Sequence, residues 1–307
     1  VPDIRHLPVL AAETLASLNL CPGATFVDAT IGGGGHAVLA AQILGPAGRL
    51  VGLDADPAML GKADQRLASL PDRPAVELIQ ANFAQLRQVL DQLAIDRVDA
   101  ILADLGFASD QVEDPSRGLS FATDGPLDMR LDPRLTMTAA DLVAALSERD
   151  LSDLFYRFGE ERHSRRIARR IVQVRQRQPF RTTRQLAELI RQCVPRSAHR
   201  NRIDPATRVF QALRIAVNDE LQALSQLLSS LPRCLRIGGR AVLISFHSLE
   251  DRLVKQTFRD RRQWQMLHKK PVTASAEEVA ANPRARSAKL RAAEYRPMLE
   301  SEENATV

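Results

Sequence analysis

The chain has 307 residues, 45% of them hydrophobic, 26% charged and 4% aromatic, which gives room for one large α/β domain or two smaller ones. No run of 18 apolar residues supports a transmembrane helix, and the start lacks the basic-then-apolar layout of a signal peptide, so a cytoplasmic protein is expected, with no membrane partner. The net charge of +5 divides unevenly: the stretch from Arg157 to Arg214 holds sixteen Arg, no Lys and four acids, a local +12 that leaves −7 for the remainder.

Thr25 to Ala29 reads as a short strand, punctuated by the glycines Gly32 to Gly35 before an apolar helix through Leu44. Arg49 to Asp54 is a second strand, and Pro57 to Leu70 a helix with Pro57 in its first turn and Pro71 just past its end. Val76 to Gln80 is a third strand, Phe83 to Leu93 a helix and Val98 to Asp104 a fourth, nearly continuous apolar strand. Strands alternating with helices in this way predict a parallel sheet covered on both faces.

The alternation stops at Gly106. Gly106 to Pro133, rich in Gly, Pro, Asp and Ser, reads as a long ordered loop of the kind that is usually functional. Helical patterns follow over 139–147, 150–156, 162–175 and 184–194, with no strand between them. Pro205 to Leu231 is predicted as one long amphipathic helix, Arg236 to Arg240 as a Gly-Gly turn, Ala241 to Phe246 as a buried strand and Leu249 to Phe258 as a helix. The expected organisation is a sheet domain, residues 1–106 and 205–307, interrupted by a loop and helical insertion, 107–204. Cys21, Cys193 and Cys234 stand in no zinc or disulfide spacing, so each is expected as a small core hydrophobe and no metal site is predicted.

The run VDATIGGGGH, residues 27–36, places a strand, a glycine cluster and a helix start in order, so the backbone can turn sharply and present free N–H groups to a ligand. Asp54 ends the next strand, where a carboxylate accepts hydrogen bonds from a ribose diol. Four consecutive glycines differ from the Gly-x-Gly-x-x-Gly of dinucleotide sites. Asp28 beside them would repel a pyrophosphate but suits a ligand carrying an amino group and a sulfonium, which favours S-adenosylmethionine over NAD. Asn82 and Phe83 after strand three can flank an adenine; the plain alternative for Phe83 is core packing.

These segments resemble the bacterial small-subunit ribosomal RNA (cytosine-N4)-methyltransferases, the RsmH or MraW family, and the resemblance runs from His6 to about Arg296. Matching runs are HLPVL, DATIGGGGH, GLDADP, DLGFASDQV, RGLSF, GPLDMRLD, YRFGEER, PATRVFQALRIAVNDEL, GGRAVLISFHSLEDRLVK and NPRARSAKLR. The resemblance implies a Rossmann-like class I methyltransferase sheet with an inserted helical domain. It also implies methyl transfer from S-adenosylmethionine to N4 of one cytidine in the decoding region of 16S ribosomal RNA, within an assembled or nearly assembled small subunit. By motif match it implies cofactor contacts at Gly34, Gly35, His36, Asp54, Phe83, Asp104 and Gln111. Phe107 and Ala108 stand where the family commonly has Val-Ser, which removes a hydroxyl from that position.

Methyl transfer is an in-line displacement, so holding donor and acceptor in line matters as much as any acid or base. The Asp/Asn-Pro-Pro-aromatic motif of other amino-methyltransferases is absent, and Asp104, at the end of strand four, is the candidate acceptor-side group in its place, or only a cofactor contact. Asp128, beside Arg130 in the long loop, and His247, after the strand ending at Phe246, are the other catalytic candidates. For each the alternative is structural, an ion pair for Asp128 and a brace for His247. Arg165, Arg166, Arg169 and Arg170 fall at helical spacing and suit a phosphate backbone, with a solvated face as the alternative. The rival readings are a Rossmann oxidoreductase and a non-catalytic RNA-binding assembly factor that keeps the fold.

Overall fold

The computed structural model describes residues 8–194 and 204–298. The start of HLPVL, with His6, and Arg196, Arg200 and Arg202 of the Arg-rich stretch lie outside the described residues. Two compact units divide the chain, one of residues 1–106 and 221–307, the other of residues 107–220.

The first unit opens with α1 (Ala11–Leu18), β1 (Thr25–Asp28), α2 (Gly35–Leu44), β2 (Arg49–Asp54), α3 (Pro57–Ala68), β3 (Ala75–Gln80), α4 (Leu86–Gln92) and β4 (Val98–Asp104). The second unit holds α5 (Ser109–Glu113), α6 (Ala139–Ala145), α7 (Glu148–Gly159), α8 (Ser164–Arg175), α9 (Thr183–Cys193) and α10 (Ala206–Asn218). The chain then returns to the first unit through α11 (Glu220–Cys234), β5 (Leu235–Ser245), α12 (Ser248–Phe258), β6 (Trp264–Met266), α13 (Ala276–Ala281) and β7 (Lys289–Tyr295).

Among the described residues the sheet has seven strands, in the order β3-β2-β1-β4-β5-β7-β6. The pairs from β3 to β5 are parallel, and β7 runs antiparallel to both β5 and β6. The parallel strands are those the alternation predicted, and the whole is the Rossmann-like class I methyltransferase sheet that the resemblance implied. Successive residues of a strand point to opposite faces, and here both faces are buried. Val27, Val51, Ile101 and Leu243 pack with Leu86, Leu90, Leu227 and Phe258 on one side. Phe26, Leu50, Leu102 and Val242 pack with Leu18, Ala40, Leu44 and Leu67 on the other.

Four expectations are corrected. The helix predicted over 205–231 is two helices, because Asp219 adopts a left-handed conformation (φ 49°) that a continuous helix cannot hold. The Gly-Gly turn is part of β5: pairing steps from Val98↔Leu235 to Ala100↔Arg240, so the intervening residues bulge out through Gly238 (φ 82°). Cys21 is exposed, unlike the buried Cys193 and Cys234, whose thiols burial pushes up. The second unit has its own core, in which Phe155, Ile167, Ile171, Leu186, Ile190 and Leu213 are fully buried. That core takes in α10, so the units part at Glu220 and Leu221 rather than at 204 and 205. No helix among the described residues is long and apolar enough to cross a membrane.

Candidate active site

Asp28, Asp54 and Asp104 close β1, β2 and β4, strands that lie side by side. Each has the parity of its strand's residues that pack on α1 to α3: Phe26 before Asp28, Leu50 before Asp54, Leu102 before Asp104. Period-2 alternation and parallel register therefore bring three carboxylates to one edge and one face of the sheet. Ligands of open α/β sheets bind beyond this carboxyl edge.

The glycine turn is folded onto the same edge. Gly32 N–H donates to Asp54 Oδ2 at 2.9 Å, and Asp56 N–H donates to Asp54 Oδ1 at 2.8 Å. The glycine cluster and the acid some twenty residues on, coupled by spacing in the sequence, are thus in direct contact. Each Asp54 oxygen retains a lone pair for further donors. Gly34 caps α2 at φ 84°, and a Cβ there would lie 3.2 Å from Ala63 Cα, so turn and α3 close on each other as only glycine allows.

Thr30, inside the DATIGGGGH run, has a role that was not predicted. Asp104 N–H donates to Thr30 Oγ1 at 2.6 Å, and Thr30 N–H donates to Asp28 Oδ1 at 3.2 Å, which ties the end of β4 to the turn after β1. His36, in the first turn of α2, is buried, with Nε2 3.7 Å from Asp104 Oδ2. Both ring nitrogens of His36, and Asp104 Oδ1, are buried with no hydrogen-bond partner among the described residues. Buried polar atoms are nearly always satisfied, so unpaired ones at a sheet edge are places for a ligand's donors and acceptors.

The carboxylates sense one another. Burial pushes Asp28 up to about 7, helped by the charges of Asp104 and Asp54 and opposed by His36 and the Thr30 N–H. Burial likewise raises Asp54 to about 6, against the N–H groups of Asp56 and Gly32. Such a site gains by taking up positive charge, as an amino group or a sulfonium supplies.

The other predicted residues are placed as follows. Phe83 is half-buried against the core, and Asn82 caps the short turn at 83–85 by accepting from Ala84 N–H at 2.9 Å. His247 follows β5, whose Ile244 is in register with Asp104, so the two share a sheet edge. Its Nδ1 accepts from Glu250 N–H at 3.4 Å at the start of α12, and Nε2 lies 3.2 Å from Glu250 Oε1. Glu250, buried and overlooked in the sequence, accepts from Phe246 N–H at 2.9 Å. The spacing of His247 and Glu250 is that of a capping box, a signal legible in HSLE.

In the second unit, Gln111 is buried and its Oε1 accepts from Ala108 N–H at 2.9 Å. Asp128 forms a two-pronged pair with Arg130, Nε to Oδ1 at 2.8 Å and Nη2 to Oδ2 at 2.7 Å, and also accepts from Arg130 N–H. Burial raises Asp128, but these bonds outweigh it and hold its carboxyl below the usual range. Phe107 packs under the Arg214 guanidinium, 4.6 Å from ring centroid to Cζ. On α8, Arg165, Arg166, Arg169 and Arg170 are exposed while Ile167, Ala168 and Ile171 are buried, so the helix has a basic outer face. In the basic C-terminal run, Lys289 and Arg291 sit on β7 and both pair with Asp251.

The chain matches the model of the MraW methylase family over residues 3–296. It is 49% identical to the ribosomal RNA small subunit methyltransferase H of Cyanothece sp. over 299 residues, 97% of this chain and 97% of that one. It is 49% identical to the enzyme of the same name from Syntrophotalea carbinolica, over 94% of this chain and 97% of that one. Among solved structures it is similar to an rRNA methylase from Streptococcus thermophilus, at 13% identity and a TM-score of 0.44, covering 94% of this chain and 95% of that one.

Proposed function

The chain belongs to the MraW methylase family, and on that premise we propose that it methylates the exocyclic N4 amine of a cytidine in the decoding region of 16S ribosomal RNA. S-adenosylmethionine is the cofactor, and when bound it supplies an electrophilic methyl group on a sulfonium. The observation that carries the reading is the set of buried, unpaired polar atoms of His36 and Asp104 beside the strand-end carboxylates Asp28 and Asp54 and a glycine turn.

In this reading Asp54 receives the ribose hydroxyls, its carboxylate oriented by the Gly32 and Asp56 N–H groups. Gly34 and Gly35 keep the turn low enough for a ligand to approach the backbone, and Phe83 offers a flat apolar edge. Asp28 and Asp104 provide negative charge toward a cationic ligand. Asp104, with one unpaired oxygen, is also the group assigned to accept from the cytosine amine, drawing its lone pair toward the incoming methyl. His247 and Asp128 are assigned to hold their own segments, the start of α12 and the loop before α6. Gln111 fixes the first turn of α5. The sheet unit is the proposed methyltransferase domain, and residues 107–220 the proposed RNA-substrate insertion, working in the cytoplasm on small-subunit particles.

The test supplies labelled S-adenosylmethionine and small-subunit particles lacking the modification. N4-methylcytidine is the expected product; transfer only to DNA or protein, or none, overturns the reading. Reversing Arg165 and Arg169 to Glu is expected to weaken RNA binding and flatten its salt dependence while sparing cofactor affinity. Loss of cofactor binding instead would make those arginines supports of the fold. An Asp54→Ala variant that modifies RNA at full rate would move the cofactor pocket elsewhere.

A further inference from the structure

The −7 of the sequence outside Arg157–Arg214 conceals a second basic segment, within the sheet unit. From Arg252 to Lys270 there are seven Lys and Arg and one acid, Asp260. The segment begins on α12, whose inward residues Glu250, Val254 and Phe258 are buried. Arg252, Lys255 and Arg259 recur at i, i+3 and i+7, which puts them on the opposite side of the helix as one stripe about 10 Å long. Arg261 and Arg262 continue it in the turn before β6, and Arg252, Arg259, Arg261 and Arg262 are all exposed, with Lys255 half-exposed.

The acids nearest the stripe are already engaged. Asp251 is held by Arg291 at 2.7 Å and Lys289 at 3.3 Å. Asp260 accepts from Arg262, through the backbone N–H at 3.1 Å and Nε at 3.3 Å. Glu250 is buried on the inner side, holding the Phe246 N–H. Lys255, Arg259 and Arg261 therefore have no acidic partner among the described residues. Like charges at i and i+4, here Lys255 and Arg259, repel weakly along a helix, and a polyanion laid across them turns that repulsion into attraction.

The stripe is also placed to matter. α12 starts directly behind the end of β5, where Ile244 is in register with Asp104, and runs away from that edge. We infer that Lys255, Arg259 and Arg261 form a phosphate track, along which an RNA strand leaving the carboxyl edge of the sheet is held by its backbone. This rests on the RNA substrate proposed above, and gives the sheet unit an RNA contact of its own, separate from the arginines of α8.

The experiment compares the intact protein with its K255Q/R259Q/R261Q variant, titrating a labelled decoding-region RNA fragment at several salt concentrations. S-adenosylmethionine affinity and thermal melting are followed in parallel. Gln keeps helix propensity at these outer positions, so an unchanged melt is expected. The variant is expected to bind RNA about tenfold or more weakly at 50 mM salt, with a log–log salt slope shallower by about two, from about 0.7 per lost single-strand contact. Cofactor affinity should stay the same. An unchanged slope overturns the track; if the melt shifts, the single variants R259Q and R261Q are read in the same way, each expected to flatten the slope by about 0.7. Wild-type protein that binds no RNA takes down the proposed substrate as well, whereas wild-type binding with an unchanged variant slope takes down the track alone. Polyglutamate that binds wild-type protein as tightly as the RNA would show a surface reading charge only, and would overturn its assignment to RNA.

Discussion

Asp104 and Asp128 are both half-buried aspartates at the mouth of a Gly-containing segment, yet their surroundings differ in kind. Asp104 has an oxygen with no partner among the described residues and a buried histidine 3.7 Å away that is equally unpaired. Asp128 has both oxygens occupied by one guanidinium, whose remaining Nη1 donates to the Leu135 carbonyl at 2.7 Å. The same contrast extends to their neighbours. At the sheet edge, backbone N–H groups orient Asp54 and Asp28 without exhausting them. In the second unit, Gln111 on α5 and Asn218 and Arg214 on α10 are each turned onto chain atoms nearby, Asn218 onto Met129 and Leu131, Arg214 onto Glu220. Unsatisfied polarity costs stability and is kept where a ligand completes it; satisfied polarity orders a segment that lacks regular structure.

The contrast breaks most readily at Gly34. Valine there is β-branched at a positive φ and would also push its Cβ against the Ala63 backbone. Gly34→Val is expected to abolish measurable S-adenosylmethionine binding by calorimetry, while the second unit keeps its helical signal. Binding within threefold of wild type would show that the turn does not form the pocket.

A smaller but more diagnostic effect is expected from Asp28. A folded-state carboxyl raised to about 7 from the unfolded value of about 3.9 leaves stability intact below the unfolded value. Stability is then lost as pH rises toward 7, where the native state must ionise a buried group. Asp28→Asn removes that loss. The variant is expected to gain stability over wild type between about pH 4 and 7, by on the order of a few kcal/mol, with a constant difference above. Because a cationic ligand favours the ionised form, wild-type cofactor affinity should rise with pH through about 7, and in Asp28→Asn that step should vanish, leaving only the dependence that Asp54 contributes near 6. Denaturant melts and cofactor titrations from pH 5 to 8 check both; a pH-independent wild type would mean that Asp28 is already ionised without ligand.

How much of this was legible follows from the range of each interaction. The strand ends and the Asp54 partnership with the glycine turn are written in short-range patterns, period-2 apolar runs and a motif of fixed spacing. The parity that gathers Asp28, Asp54 and Asp104 onto one face is equally present in the sequence, once strand order is granted. The break at Asp219 is not, because the apolar 3.6-residue period runs through it and no Gly or Pro marks the left-handed residue. The bulge in β5 depends on the Val98 and Ala100 pairing across the sheet. Nor does composition separate Asp104 from Asp128: whether an aspartate is saturated is decided by what tertiary structure brings to it. The sequence partner of Asp128, two residues away, pointed to an ion pair without showing that it would be complete. The basic stripe on α12 is present in the sequence at i, i+3 and i+7, but the acids elsewhere in the remainder cancel it in the summed charge.

The smallest effect sharpens the comparison from the loop side. Asp128→Ala leaves Arg130 with its bond to the Leu135 carbonyl and removes an acceptor from both its guanidinium and its backbone N–H. Both side chains of the pair are about a quarter exposed, so water replaces part of what is lost. The expected destabilisation is about 1–2 kcal/mol, below that of a fully buried charged pair. Asp128→Asn keeps one acceptor and should recover part of it, and neither substitution should move S-adenosylmethionine affinity. For Asp104→Asn the expectation is reversed: removing one of several crowded carboxyl charges costs the fold little, while methyl transfer falls because, in the proposed role, the amide keeps one acceptor oxygen but loses the charge directed at the cytosine amine. Thermal melts and cofactor titrations of the variants decide between these patterns. An Asp128→Ala protein that melts like wild type but no longer transfers methyl groups would make Asp128 a participant in catalysis, and saturation by Arg130 would then be a resting state rather than the residue's purpose.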